Sequence, residues 1–441
     1  MNLTDRIADL SMLWKQASLV FPYFDRLSID WDQTYREYLP KVVRAKTDRE
    51  FHLLLAEFLN LLGDGHTDYT FPKVLQEETG YLPFTLRFIQ DTYCIDAVIP
   101  EYQAFTCAQV TSINGIPFSD FVREVSRYSY HAGNYVSRYR LHQILPFLLK
   151  PNGNIAETLQ GSSSFDLLPS KPENLAPPIL KLPNPYRQIG AGKLDIRLYD
   201  GGILYIRLDD FLYDKAADEV RSAITQTPGI TGLLLDIREN VGGMTMNGAK
   251  IAELLIPGKF HGCQKRTRSM TGIALSSASQ LLAWSEETIE KHIAAGHTTR
   301  EEISESKSLI TNTHYDRYVD TYGTENHTAL CSGPCVILTS RHTVSAAEDF
   351  AAMFRTNQRA VIVGTETCGT TGTPLIQKLS CGGRMRICSV GYRLLDGTEF
   401  IGCGIRPDVF CEASVDDFRR GYDSVLDAGL SILKSRTGGL A

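Results

Sequence analysis

GILYIRLDDF (202–211), YDKAADEVRSAIT (213–225) and GLLLDIR (232–238) follow one another closely. The outer two are apolar runs of strand length. The middle one brings Ala216, Ala217, Val220 and Ile224 to one face at helical spacing. Strand, helix and strand in that order make a βαβ unit, which implies parallel pairing. The alternation resumes with CVILTS (335–340), SAAEDFAAMFRT (345–356) and AVIVG (360–364). An α/β domain is therefore expected over residues 191–441, with a helical insert at about 279–310.

Upstream the pattern changes twice. Over residues 1–74, Leu3, Ile7, Leu10, Leu13 and Trp14 recur at helical spacing, as do Phe51, Leu54, Leu55, Phe58, Leu61 and Leu62. Gly63 then supplies a helix stop. Over 75–190, LPFTLRFI, TYCIDAVI and AQVTSI read as short strands, and SINGIPFSDFVREVSRY as a turn at Asn114-Gly115 followed by a helix. That order resembles the second half of a PDZ-type peptide-binding module. Pro169, Pro172, Pro177, Pro178, Pro183 and Pro185 mark residues 169–185 as a linker or surface loop. The expected architecture is thus α/β overall (α+β multidomain), with a helical region, a PDZ-like middle region and a C-terminal α/β domain.

Composition narrows the function classes. Of 441 residues 43% are hydrophobic, enough for a packed core and too many for a disordered chain. The net charge of −6 lacks the basic excess of a dedicated nucleic-acid binder. No apolar run reaches the roughly 18 residues of a membrane span. Asp5, Arg6, Asp9 and Lys15 interrupt any signal-peptide core, so a cytoplasmic protein with reduced thiols is expected. Three residues separate Cys331 from Cys335 and seven separate Cys403 from Cys411, with no second tight pair. That spacing makes a poor zinc site, and neither metal nor cofactor is expected.

Three segments carry chemistry. In PCVILTSRHTVSAAEDFAAMF, a buried strand ends and Ser345 stands where the next helix starts. There the hydroxyl is exposed, the helix dipole lies beneath it, and the Ala346 N–H is an unpaired first-turn donor. This suits a serine nucleophile beside an oxyanion donor. Ser345-Ala-Ala-Glu348 is equally a capping box, and the segment alone leaves both readings open. In LLLDIRENVGGMT, Asp236, Arg238 and Asn240 alternate beyond a strand end. Gly242-Gly243 there lets backbone N–H groups approach a ligand. A glycine turn with Asp236 and Arg238 paired structurally is the competing reading. In LLGDGHTDY, His66 lies among Asp64, Gly65, Thr67 and Asp68, either as a solvated cap residue or as a base in need of an orienting partner.

These segments resemble the tail-specific, or C-terminal processing, serine peptidase family, in its tricorn-like branch. The likeness covers nearly the whole chain: DGHT (64–67), TSINGIPF (111–118), YIRLDDF (205–211), LLLDIRENVGG (233–243), TVSAAEDFAAMF (343–354), VIVGTETCGTTG (361–372) and GCGIRPDV (402–409), in that order. The resemblance implies a Clp-protease or crotonase-like catalytic domain and hydrolysis of peptide bonds in a peptide or unfolded polypeptide. It matches Ser345 to the nucleophile, Gly242, Gly243 and Ala346 to the oxyanion donors, and His66 to the base. In the processing branch a lysine follows a T-x-G turn, whereas here Thr370 follows Thr367-Cys368-Gly369 and Lys378 lies too far along. In the tricorn-like branch a serine precedes the histidine, whereas here Gly65 does. A late glutamate of that branch falls near Ile401, and Glu399, two residues earlier on the same face of a strand, is expected to orient His66. His342 is a weaker rival base. Retinoid-binding repeats of the eye resemble the same family, so a catalytically inactive binding protein is the alternative. A crotonase-type acyl-CoA enzyme shares the core but does not explain DGHT or SAAE. Neither nucleic acid nor membrane is an expected partner, and a homo-oligomer is left open.

Overall fold

The structure is a computed structural model that describes residues 2–132, 135–178, 185–189, 192–268, 284–310 and 315–437. The chain opens with helices α1 (Leu3–Val20), α2 (Trp31–Arg44) and α3 (Asp48–Asn60). Each starts on a side-chain cap: Asn2, Asp30 and Thr47 accept the N–H of Asp5, Gln33 and Glu50. Their inner faces bury Leu10, Leu13, Trp31, Tyr38, Phe51, Leu55 and Phe58. Trp31 stacks on Phe58 with ring centroids 4.4 Å apart. Helix α2, which carries Pro40, was not evident from periodicity; aromatic packing offsets the proline. After Gly63, whose φ of 62° turns the chain, β1 (Asp68–Thr70) pairs antiparallel with Arg384–Cys388 of the C-terminal half.

The middle residues form a hairpin, Phe84–Ile89 with Thr92–Val98, and a four-stranded sheet. Ile113 pairs with Ile116 across Asn114-Gly115. Their φ values of 54° and 76° are those of the hairpin turn that Asn-Gly favours. The helix expected after the turn spans Phe118–Ser126. In the Pro-rich segment Ala176 bridges Val98, and Pro183 lies outside the described residues. One hydrophobic core runs from α1 through the middle region and takes in Leu379, Met385 and Ile387.

The central sheet contains β2 (Ile203–Arg207), β3 (Gly232–Asp236), β4 (Cys335–Thr339) and β5 (Val361–Gly364), all parallel neighbours in that order. Asp195–Tyr199 pairs antiparallel outside β2, and Val409–Phe410 parallel outside β5. Alternate residues face opposite sides. Leu204, Ile206, Leu233, Leu235 and Ile337 pack with Val220 of α4 (Ala216–Gln226), Ile251 of α5 (Thr245–Leu255) and Phe350 of α6 (Ala346–Thr356). Ile203, Tyr205, Leu234, Val336 and Val363 pack with Leu426, Leu430 and Leu433 of α7 (Ser424–Thr437). Cover on both faces is why these strands read as unbroken apolar runs. Helices Glu286–Ala294 and Arg300–Ile310 fill the expected insert, and its first residues, 279–283, lie outside the described residues. Among the described residues no helix is long and apolar enough to cross a membrane. All ten cysteines are unpaired.

Candidate active site

Beyond the carboxyl ends of β3, β4 and β5, three loops meet, the place where parallel α/β sheets present ligand sites. The loop after β4 carries Ser345, whose φ of 61° and ψ of −126° are rare for a residue with a Cβ. The conformation is held from both sides. The Ser345 N–H donates to the Thr370 carbonyl at 2.9 Å, and the Val344 N–H to the Asn240 carbonyl at 2.9 Å. The Ser345 hydroxyl makes no capping bond to its own helix. It lies 2.9 Å from Nε2 of His66, 279 positions away in the chain.

His66 reaches the site because its surroundings lock it. The Asp64 carboxylate accepts the His66 N–H at 3.0 Å and the Thr67 hydroxyl at 2.8 Å. The β1 pairing sets Asp68 opposite Arg386, which donates to Asp68 at 2.7 Å and to the Gly65 carbonyl at 3.1 Å. The ring is buried. Burial first, then the Arg386 charge, hold its pKa at about 3. It is therefore neutral at pH 7. With Nε2 facing the serine hydroxyl, the hydrogen-bond network assigns its proton to Nδ1. Nδ1 lies 2.6 Å from Thr370 Oγ1.

Thr370 was not singled out from the sequence as the orienting group. Gly65, the residue before His66, carries no hydroxyl, and Thr370 supplies one from another loop. Gly65 makes room for it, since a Cβ there would stand 2.6 Å from Thr370 Oγ1. Thr370 is in turn fixed by Glu348, whose Oε2 accepts the Thr370 N–H at 2.7 Å. The other Glu348 oxygen accepts the Gly369 N–H at 2.8 Å and the Thr367 hydroxyl. Burial pushes the Glu348 carboxyl up to about 8, against the pull of these three donors. The glutamate is thus turned away from the Ser345 backbone, and the capping-box reading of SAAE is not realised. The available signal was a carboxylate among Ala346, Ala347 and Phe350 on the buried face of α6. Such a group demands hydrogen-bond partners.

Glu399 is a correction. Its carboxylate pairs with Arg26 at 2.5 Å and is about half exposed; it makes no bond to His66, whose Nδ1 faces Thr370. Residues 395–403 run through turns, with the Gly404 N–H donating to the Phe400 carbonyl at 2.7 Å. No strand exists there for a same-face argument to act on.

Gly242 is the second correction. Its N–H donates to Asn240 Oδ1 at 2.8 Å and is therefore spent. Its missing side chain matters instead, since a Cβ would lie 2.7 Å from Ser345 Cβ. The Gly242–Gly243 backbone consequently runs directly against the nucleophile. Among the described residues the Gly243 and Ala346 N–H groups have no acceptor. Asn240, fully buried, organises this loop, for its amide also donates to the Leu208 carbonyl at 2.9 Å. Arg238 pairs with Asp236 and, at 2.7 and 2.8 Å, with Asp423, which is the structural reading of that pair.

The rival bases lie elsewhere. His342 Nδ1 is 3.3 Å from the Tyr135 hydroxyl, and burial lowers its pKa to about 4. Lys378 ends the strand Pro374–Lys378, exposed.

Residues 202–410 match Peptidase family S41, and residues 5–60 match the Tricorn protease C1 domain. A carboxy-terminal-processing protease of Bartonella bacilliformis is 31% identical over 93 residues, 21% of each protein. A carboxyl-terminal-processing protease of Synechocystis sp. is 27% identical over 256 residues, 57% of this chain and 48% of that one. The chain thus aligns with less than half the length of these curated relatives. The structure of mature CPAF complexed with lactacystin superposes with a TM-score of 0.74 at 14% identity, covering 98% of both chains, which shows a shared fold. Residues 202–410 thus carry a peptidase family S41 domain, and residues 5–60 ahead of it a tricorn-type C1 domain.

Proposed function

We propose that the protein is a serine peptidase in which Ser345 attacks the peptide carbonyl and His66 is the general base. One observation carries the reading: Ser345 Oγ, His66 and Thr370 Oγ1 form a single hydrogen-bonded line, with steps of 2.9 and 2.6 Å. As Oγ attacks, its proton passes to Nε2, and the imidazolium so formed donates through Nδ1 to Thr370. The oxyanion takes the free N–H groups of Gly243 and Ala346, with the dipole of α6 behind them. His66 then hands its proton to the leaving amine. Water, activated by the same ring, hydrolyses the acyl-enzyme. The substrate class we assign is a peptide or unfolded polypeptide. The middle region is suited to hold it near the site, because Arg87 and Arg138 both pair with Glu239, next to Asn240. Covalent labelling of Ser345 by a fluorophosphonate, read by mass spectrometry, tests the reading. A serine that stays unlabelled in folded protein rejects it.

Two variants probe the orienting group. Thr370→Val is expected to lower kcat about 10- to 100-fold with little change in KM, since a hydrogen bond to a charged partner contributes about 1.5–3 kcal/mol. Thr370→Ser should restore most of the rate. Gly65→Ala is expected to be folded by circular dichroism yet at least about tenfold slower, because the added methyl displaces Thr370 and with it the Nδ1 partner. An unaffected Gly65→Ala enzyme would mean that Thr370 does not orient the ring.

A further inference from the structure

Arg26, Arg266, Arg317 and Arg393 line one cavity of about 220 Å³, together with the carboxylates of Asp25 and Glu399. Asp25 and Arg26 come from the single helical turn Phe24–Arg26. The other arginines come from the three-stranded sheet of Tyr315–Tyr322, Phe260–Arg268 and Val390–Arg393. Its register explains why they gather. Arg266 lies opposite Arg317 on one side and Gly391 on the other, and Gln264 lies opposite Arg393. Side chains alternate along a strand, so Arg266, Arg317 and Arg393 share one face. Lys265 falls on the other face and pairs with Asp320. A Cβ at Gly391 would stand 2.8 Å from Arg266 Cγ, so its absence leaves Arg266 room to lie across the strand.

Like charges directly opposite on neighbouring strands cost stability. The two carboxylates offset only part of that cost. Asp25 accepts from both terminal nitrogens of Arg266, at 2.7 and 2.8 Å, and Glu399 pairs with Arg26. Arg393 donates through Nε to Gln264 Oε1 at 2.7 Å. Among the described residues, its other two nitrogens and the whole Arg317 guanidinium meet no acceptor. Two guanidiniums therefore face one cavity without a counter-charge.

We propose that this cavity binds a small tetrahedral oxyanion, free inorganic phosphate, between Arg317 and Arg393. A guanidinium presents a planar fork of N–H donors that fits phosphate oxygens two at a time. The volume lies below the roughly 300 Å³ at which drug-sized ligands begin to fit, so a free ion suits it better than a nucleotide. The bound ion neutralises the Arg266–Arg317 pair. It also reinforces the contact that Asp25–Arg266 and Arg26–Glu399 already make between the helical region and the α/β domain.

Calorimetric titration and thermal denaturation of the full chain test the site, with sodium phosphate compared against sodium chloride at equal ionic strength. Saturable binding is expected, with a melting temperature that rises with phosphate concentration. Arg317→Gln and Arg393→Gln should each weaken binding about 10- to 100-fold, the effect of losing hydrogen bonds to a charged partner. Arg317→Gln should also melt above the wild type in chloride alone, because the opposed like charges are gone. Arg317 is exposed, so this single variant folds whether or not the double one does. Phosphate also stabilises proteins generally, by exclusion from their surface. Exclusion acts alike on wild type and variants, so the shift is read as the difference between them. A wild type that gives no heat of binding, and a shift no larger than the variants show, overturns the inference. Binding undiminished in both single variants also overturns it, since the ion then sits elsewhere. ATP that binds more tightly than phosphate, and loses that affinity in Arg317→Gln, overturns the assignment of a free ion.

Discussion

Replacing Ser345 with alanine is expected to abolish hydrolysis and fluorophosphonate labelling, with kcat falling by about 10⁴- to 10⁶-fold. Loss of a serine nucleophile removes the acyl-enzyme route and leaves only what the oxyanion donors and binding contribute. The variant should nonetheless melt near the wild-type temperature. In this position the hydroxyl bonds His66 and does not cap α6, so no cap is lost, and alanine tolerates φ 61° no worse than serine does. Ser345→Gly is expected to be equally inactive and at least as stable, because glycine adopts that conformation freely. Peptide hydrolysis together with thermal denaturation checks both statements. Full activity in Ser345→Ala would reject it as the nucleophile.

His66→Ala is expected to cost about 10²- to 10⁴-fold in kcat, the usual range for a positioned general base, whereas Lys378→Ala should leave activity intact. The pH profile adds a sharper statement. The neutral ring is the working form. With its pKa held at about 3 by burial, His66 stays unprotonated until the pH falls well below 6.5, the ordinary histidine value. Activity lost through this group is lost as pH falls through the folded value, so the acid limb of kcat/KM should lie below about pH 5. A limb centred near 6.5 that disappears in His66→Ala would show that the ring works in a solvated setting. If Lys378→Ala is the dead variant, the histidine assignment itself falls.

The structure also accounts for two departures that the sequence presents as losses. Read alone, Gly65 lacks a hydroxyl and Thr370 lacks an amine. Together they are complementary, since the absent side chain at 65 is the space that Thr370 Oγ1 occupies. One threonine then serves two partners, its hydroxyl toward His66 and its carbonyl toward the Ser345 N–H. Neither half of this pair means anything without the other, and 305 positions separate them only in the linear chain.

What the sequence determined by itself was the local order of things. Unbroken apolar runs at β3 and β4, helical periodicity between and after them, and Asn-Gly before Phe118 are short-range signals, because period and turn chemistry act over a few residues. The same locality made Ser345 legible at a strand-to-helix turn and Gly242-Gly243 legible as a backbone able to approach a ligand. Which carboxylate supports the histidine was not local. Glu399 is expected there from its place in the chain, but it pairs with Arg26, and the buried Glu348 of α6 instead accepts the N–H of Thr370, whose hydroxyl meets the ring. The spent amide of Gly242 depended likewise on Asn240 being fully buried beside it. His66 meets Ser345 because β1 pairs with Arg384–Cys388 and Arg386 ties down Asp68 and Gly65. Contacts of that kind are set by packing and by the need to satisfy buried polar groups in three dimensions, and no residue spacing records them.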